Sequence, residues 1–351
     1  MDSITHVVLG AVIGEACFGK KLGKKAMLIG AGAQSIPDID FVDGIWLRPV
    51  DDLLAHRGIT HSIFFIVLTA VLIGWLAFAL DKKKKISFSS WILLFGLEMS
   101  VHLLLDCFNC YGTGLLEPFS SERFSLNALF VADPFFSVWP GVACVVLLIL
   151  KKDSPARVKW SWIPLLIVTA YLFYALINKS IIEKQTKAEL EKNHLSYSRL
   201  LTTPAPLNNW LWFVAAETDS GYYVNYRSVF DGADSVGFVY FLKEDHLSRQ
   251  LGGTERIDYE KLIRFSQGFY TLEKWDDALM FNDLRFGQMA GWVDPHARFS
   301  FHYDLRHPDA NLFVVQQGRF ANWNWNTVVV MMKRIAGVKP ANSLASAREK
   351  K

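Results

Sequence analysis

The sequence predicts a polytopic α-helical membrane domain of about six membrane helices, the first two short, followed by a small β-rich or α+β soluble domain. Three observations carry that prediction. Apolar residues make up 51% of the 351-residue chain and mean hydropathy is positive, too apolar for an ordinary soluble protein and too polar for one wholly in lipid. Uncharged runs of near-bilayer length are confined to the first half. Beyond Ile177 they give way to short strand-like runs separated by turn residues.

A helix needs about 20 apolar residues to cross roughly 30 Å of hydrocarbon, and fewer with snorkelling flanks. Two short stretches come first, 7–18 and 26–36, and their glycines (Gly10, Gly14, Gly30, Gly32) suit a tightly packed hairpin. Longer stretches follow at Ile63–Leu80, 88–105, 135–150 and 160–177, so the membrane domain takes residues 1–177. "NKSIIEKQTKAELEKNHL" reads as an amphipathic connecting helix within 178–200. The runs "WLWFVAAE", "YYVNYRSVF" and "VGFVYFL", broken by "DSG" and "DGAD", predict strands. With the helix-like "YEKLIRFSQGF" and the stretch "NTVVVMMKRIAG" they predict a β-rich domain over 201–338, and 339–351 reads as a flexible tail. The opening "MDSITH" lacks a cationic leader and small-residue cleavage site and reads as mature sequence.

Charge sets the expected orientation. Lys20, Lys21, Lys24 and Lys25, then Lys82 to Lys85, then Lys151, Lys152, Arg157 and Lys159 share one side if the segments alternate in direction. The opposite loops, 38–62 and 106–134, carry only Arg48, Arg57 and Arg123. The positive-inside rule places the lysine loops in the cytoplasm and everything after Ile177 outside it. The bilayer is the expected partner. A net charge of +3, with neither a Gly-rich phosphate loop nor a basic-aromatic motif, argues against nucleic acid. No protein-partner motif is legible.

The ionisable residues on the extracytoplasmic side form a pattern. His6 opens the first short helix, and "PDID" supplies Asp38 and Asp40. "HRGITHS" supplies His56 and His61, "HLLLD" supplies His102 and Asp106, and "ADPFF" supplies Asp133. All fall at one membrane face. Neutral imidazole and carboxylate are ligands for zinc and also for manganese or iron. The eight exceed what one ion needs, so two or three ions are expected. Such a centre can activate water and clamp the oxygens of a phosphoester. His102 and Asp106 stand i, i+4 on one stripe with Glu98 a turn below, where a carboxylate can orient His102 or act as general base. Arg57 and Arg123 suit phosphate oxygens as bidentate donors.

Each piece alone has an ordinary explanation. A lone His6 is an interfacial residue, "PDID" a turn with a cap, and "HRGITHS" a loop ending in a Ser cap. "HLLLD" is less easily dismissed, because an ionisable group at the centre of a span costs roughly 2.5–3.5 kcal/mol, discounted near a helix end. Their coincidence on one face favours a functional cluster. Cys107 and Cys110 read as packing, a redox pair or soft ligands; with Cys17 and Cys144 they are too few for a disulfide scaffold. Glu15 is either a buried partner of the cluster or a snorkelling surface charge, and His296, His302 and His307 read as surface residues.

Together "DSITHVVLGAVIGEA", "IPDID", "HRGITHS", "HLLLDCFNCYGTGLLEPFSSERFSL" and "ADPFF" resemble the YdjM/YbcI-type family of membrane-bound, metal-dependent hydrolases. The likeness continues through "PAPLNNWLWFVAAETDSGYYVNYRSVFD" and "DLRFG" and so spans most of the chain. The resemblance implies a multi-pass protein of a bacterial inner membrane, with His56, His61, His102 and Asp106, together with His6, Asp38 and Asp40, as metal-binding positions. The HxxxD element is also similar to one in zinc-dependent phospholipases C. "CFNC" departs from the polar residues expected there. The expected function is hydrolysis of a phosphoester or similar bond in a lipid or lipid-linked substrate, at a divalent-metal centre. Two other classes compete: a metal or proton transporter or sensor, and a membrane-anchored interaction module with a structural metal site.

Overall fold

The computed structural model describes residues 1–232, 237–311, 320 and 323–338. The expected tail, 339–351, lies outside the described residues. The chain divides into two compact units, the first made of Met1–Trp46 and Ala55–Tyr174, the second of Leu47–Leu54 and Ala175–Lys351.

The first unit is helical. Its opening hairpin pairs α1 (Ser3–Leu22) with α2 (Lys25–Gln34), and Gly23, at φ 59°, turns the corner in the left-handed region that glycine tolerates. The two helices cross closely: a Cβ on Gly10 would stand 2.5 Å from both the Gly30 carbonyl oxygen and Gln34 Cβ. Gly32 meets nothing and takes no part in that packing. A 3₁₀ helix at Pro37–Ile45 follows, and another at Ile59–His61 leads into α4 (Ile63–Leu80), whose first turn is capped by Ser62 Oγ accepting from Phe65 N at 3.1 Å. α5 (Phe88–Cys107) packs antiparallel on α4 through Ile66, Ala70, Leu94, Phe95 and Met99. α6 (Pro134–Ile149) rests on α1 through Ala143, Leu147, Ala11 and Val12.

α7 (Ala156–Lys192) has 37 residues, about 55 Å at 1.5 Å per residue. The span expected at 160–177 and the connecting helix expected at 178–200 are one helix, ending at Lys192. Three helices, α4, α5 and α7, are long and apolar enough to cross a membrane, whereas α6 is shorter. Among the described residues these three are the candidate spans; α1 carries Glu15, Lys20 and Lys21 and α2 has only 10 residues, so neither adds to the count of six expected from the sequence.

The basic loops gather at one end of this unit. Lys24 Nζ donates to the Leu148 carbonyl, the Lys152 stem lies against Gly23, and Phe18 meets Trp91 edge-on at 5.7 Å near the start of α5. Glu15 is neither a member of the histidine cluster nor a surface charge. It forms a buried bidentate pair with Arg157, both bonds 2.7 Å, and Arg157 also donates to the carbonyls of Leu147 and Leu150. One guanidinium thus ties α1 and α6 to the start of α7.

The second unit is β-rich. β1 (Arg199–Pro204), β2 (Leu211–Glu217), β3 (Gly221–Ser228) and β4 (Val239–Leu242) form an antiparallel meander, with Leu201 opposite Ala215 and Phe213 opposite Tyr226. After α8 (Gly253–Phe265), β5 (Tyr270–Trp275), β6 (Ala278–Gln288) and β7 (Phe299–Asp304) form a second one. Leu211, Phe213 and Tyr226 share a core with Leu284, Trp292, Phe299 and Met331 of α9 (Trp325–Ile335). β2 is buried along its whole length because its other face, Trp212 and Val214, packs on Ile182 of α7. The helix α3 (Pro49–Ala55), although early in sequence, also belongs here: Arg48 donates to Asp258 at 3.0 and 3.3 Å, and Lys261 pairs with Asp51.

Candidate metal centre

The end of the first unit opposite its basic loops collects the expected histidines and acids. α5 delivers His102 and Asp106 from one stripe, four residues apart, both fully buried. Asp38 comes from the 3₁₀ helix that Pro37 starts where α2 stops. His61 is held just ahead of the Ser62 cap of α4.

Four atoms from these residues enclose one point. His61 Nε2 lies 3.1 Å from His102 Nε2, 3.5 Å from Asp38 Oδ1 and 3.3 Å from Asp106 Oδ2. His102 Nε2 lies 3.4 Å from Asp38 Oδ1 and 3.5 Å from Asp106 Oδ2. A tetrahedral ion with bonds of 2.0–2.2 Å has ligand–ligand edges of roughly 3.3–3.6 Å. Four of these five edges match a tetrahedron of that size and the fifth, between the two imidazoles, is slightly shorter; the four residues' donor atoms lie within 4.8 Å of one another. Without an ion the two facing nitrogens are within hydrogen-bond distance, His61 Nε2–H donating to His102 Nε2; with an ion between them both would turn lone pairs to it. Asp106 Oδ2 is a buried acceptor without a well-aligned hydrogen bond, although Arg57 Nε approaches it to 2.9 Å. The donor set, two nitrogens and two carboxylate oxygens, fits a divalent metal.

The neighbours fix those donors. His102 Nδ1 donates to the Gln34 carbonyl at 2.6 Å, which leaves Nε2 for the centre. His61 Nδ1 faces Asp40 Oδ2 at 3.2 Å and Thr60 Oγ1 at 3.0 Å. Asp40 is the hub of this layer: it also accepts from Thr60 Oγ1 at 3.0 Å and Arg57 N at 2.8 Å, and its Oδ1 meets His56 Nδ1 at 3.1 Å. Arg57, buried at φ 60°, has that left-handed backbone held by the bond to Asp40 and by Gly114 N donating to its carbonyl at 2.9 Å.

Burial opposes charge on His61, but hydrogen bonds to Asp106, Asp38 and Asp40 outweigh it and push its pKa up to about 10. Burial likewise works against ionised Asp38 and Asp40, yet the imidazoles of His102 and His61, and of His56 and His61, hold the two carboxyls well below their usual range. The carboxylates meet positive charge from Arg57, the Met1 amino group and the imidazoles, and a divalent ion would compete with the proton on His61.

The other expected residues lie around this core in different roles. His6 stacks on His102 with ring centroids 3.7 Å apart, and its Nε2 lies 3.3 Å from Asp106 Oδ1, which the Met1 amino group also reaches. His56 is partly exposed at the edge, with 30% of its side chain accessible. Glu98 stands a turn below, and its Oε2 is 2.9 Å from the side-chain nitrogen of Gln34, so it reaches His102 only by way of Gln34. Arg57 spends Nε on Asp106 and Nη1 on Asn109 Oδ1 at 2.7 Å; Arg123 donates to the carbonyls of His56 and Gly112, each at 3.2 Å. Asp133 caps α6, accepting from Phe135 N at 2.9 Å and Tyr171 Oη at 3.0 Å, and is not one of the four donors. The Pro134 that follows it is a helix-start signal that pointed to the cap. Cys107 is buried and, like Cys110, stands outside the four-donor group; the two are not bonded to each other.

Sequence reasoning missed Gln34, Thr60 and Asn109. Thr60 lies inside the singled-out "HRGITHS" and Asn109 inside "CFNC"; nothing in the sequence marks Gln34, whose carbonyl acts here.

Comparisons with known proteins bear on the family. The YdjM inner membrane protein family model matches residues 1–182, more than half of the chain. The uncharacterized protein YfhP of Bacillus subtilis (strain 168) is 31% identical over 152 residues, covering 39% of this chain and 43% of YfhP, so the match spans less than half of that relative. The inner membrane protein YbcI of Escherichia coli (strain K12) is 24% identical over 185 residues, 49% of this chain and 96% of YbcI. No solved structure matches. With candidate spans, the four-donor group and the family match all in its first half, the chain belongs to the YdjM inner membrane protein family.

Proposed function

We propose that this protein is a membrane-embedded, divalent-metal-dependent hydrolase that cleaves a phosphoester or similar bond in a lipid or lipid-linked substrate. The observation that carries the reading is the buried group of two imidazole nitrogens and two carboxylate oxygens at tetrahedral spacing. Asp38, His61, His102 and Asp106 would hold an ion there, zinc by the donor set, with manganese or iron as alternatives. A divalent ion supplies Lewis acidity and lowers the pKa of water. His6, stacked on His102, offers a further imidazole beside the group.

The chain's own residues supply the rest. His56 is the partly exposed imidazole of the cluster, and Asp40 fixes its Nδ1 side, leaving Nε2 to exchange a proton with substrate. Arg57 holds the Asp106 carboxylate in place, and Arg123 clips the loop carbonyls that shape the rim. The positive-inside rule supports an extracytoplasmic centre, because the lysine loops gather at the other end of the unit.

Elemental analysis of detergent-purified protein, paired with a phosphoester hydrolysis assay, tests the reading. His102→Ala loses metal and activity together, while His56→Ala keeps its metal and loses about 10²–10⁴-fold in rate. If His102→Ala retains both, the proposal fails. One observation favours a second reading, a metal or proton transporter: Glu98 Oε1 is buried a turn below the centre and accepts no hydrogen bond. Metal-driven or proton uptake into proteoliposomes, lost in Glu98→Gln, would establish that reading instead.

A further inference from the structure

The 3₁₀ helix at Pro37–Ile45 has two chemically opposite sides. Asp38 and Asp40 face the cluster, while the alternating Ile39 and Phe41 face out, and Ile45 and Trp46 continue that outward surface. Phe41 is 73% and Trp46 64% exposed, large values for side chains of this size. Across the rim, Phe119 is 81% exposed and meets Phe64 edge-on at 5.8 Å. Phe64 is the second residue of α4, whose exposed stripe (Val67, Leu68, Val71, Leu72) is the lipid-type face of a candidate span. Exposed apolar side chains thus continue from the span past the helix end to Phe119, and a second exposed apolar group, Ile39, Phe41, Ile45 and Trp46, stands as a wall on the outer side of the segment that carries Asp38 and Asp40. No lysine or arginine occurs in 37–46, so the wall is suited to insertion by apolar and aromatic side chains rather than to attraction by anionic headgroups.

We propose that this wall, formed by 37–46 and the Phe119 loop, sits in the membrane interface, so that the centre opens at headgroup depth. The occupant of the wall is the bilayer itself. The seating rests on the proposed function only for what it would admit, a lipid-type substrate arriving in the plane of the membrane, and stands or falls separately from hydrolysis.

The test uses the full chain in nanodiscs of phosphatidylethanolamine and phosphatidylglycerol. A photoreactive benzoyl-phenylalanine replaces Phe41, Trp46 or Phe119 in turn, and Leu72, on the exposed face of α4, serves as the lipid-facing standard. After irradiation, intact-protein mass spectrometry counts lipid adducts. Adduct yields at 41 and 46 within about fivefold of that at Leu72 are expected for side chains at the lipid interface. Yields lower than that, or adducts to a second copy of the chain in place of lipid, overturn the proposal. Three positions guard against one misfolded variant. Metal content measured on the same samples reports the centre independently: lipid adducts on metal-free protein would uphold the seating and count against the hydrolase.

Discussion

Replacing Asp40 with asparagine separates an orienting role from a ligating one. Asp40 touches the cluster only through His61 Nδ1, His56 Nδ1, Thr60 and the Arg57 amide, whereas the nitrogen that faces the four-donor point is His61 Nε2. Asparagine keeps the volume and one oxygen but removes the charge that two imidazoles face. Loss of an orienting group of this kind weakens metal binding by about 10–100-fold. Loss of a true ligand costs more. Structural zinc sites bind with roughly 10–16 kcal/mol, so each of four donors accounts for about 2.5–4 kcal/mol, a factor of roughly 10²–10³. Competition titration of purified protein against a chromophoric zinc chelator should therefore rank wild type above Asp40→Asn, and Asp40→Asn above His102→Ala by about tenfold or more. Equal losses in the two variants would make Asp40 a ligand and refute the assigned layers. Wild-type affinity in His102→Ala would remove the centre altogether.

Three further outcomes are expected. Arg157→Met strands the buried Glu15 carboxylate and should cost about 3–5 kcal/mol in thermal or denaturant unfolding, whereas the double variant Glu15→Leu with Arg157→Met should cost much less; equal losses would show the pair adds nothing beyond packing. Gly10→Val drives side-chain atoms into the Gly30 carbonyl and Gln34, an overpacking loss of about 1–3 kcal/mol, and because the Gln34 carbonyl holds His102, metal retention should fall with it. Zinc at a hundredfold excess over its dissociation constant should stabilise the fold by about 2.7 kcal/mol, read as a rise in Tm that a chelator reverses; a Tm indifferent to both would contradict a folded-state site.

Much of this architecture could be read directly from residue order. The bounds of α4 were legible to the residue because Ser62 is a cap and an uncharged run follows it. The i, i+4 spacing of His102 and Asp106 already placed two donors on one stripe. What escaped depends on partners far apart in sequence. Nothing near Glu15 announces Arg157, 142 positions later. The polar half of α7 looked like a separate connector, yet it stays helical where Ile182 packs on Trp212 and Val214 and Glu189 pairs with Arg227. Asp38 and Asp40 are indistinguishable in the string "PDID"; only the fold puts one in the four-donor group and the other behind His61 Nδ1. Arg57 looked available for phosphate because its engagement with Asp106 and Asn109 is tertiary.

The allegiance of α3 affects the order in which this molecule can be made. The chain leaves the first unit after Trp46 and rejoins it at Ala55, spending the interval with a partner, Asp258, that lies 210 positions downstream of Arg48. A ribosome releases that partner long after the stretch bearing Asp38, Asp40 and His56 has emerged. Arg48 and Asp51, between Asp40 and His56, gain these ion pairs only once Asp258 and Lys261 have been made, so a nascent chain arrested before Asp258 carries that stretch without them.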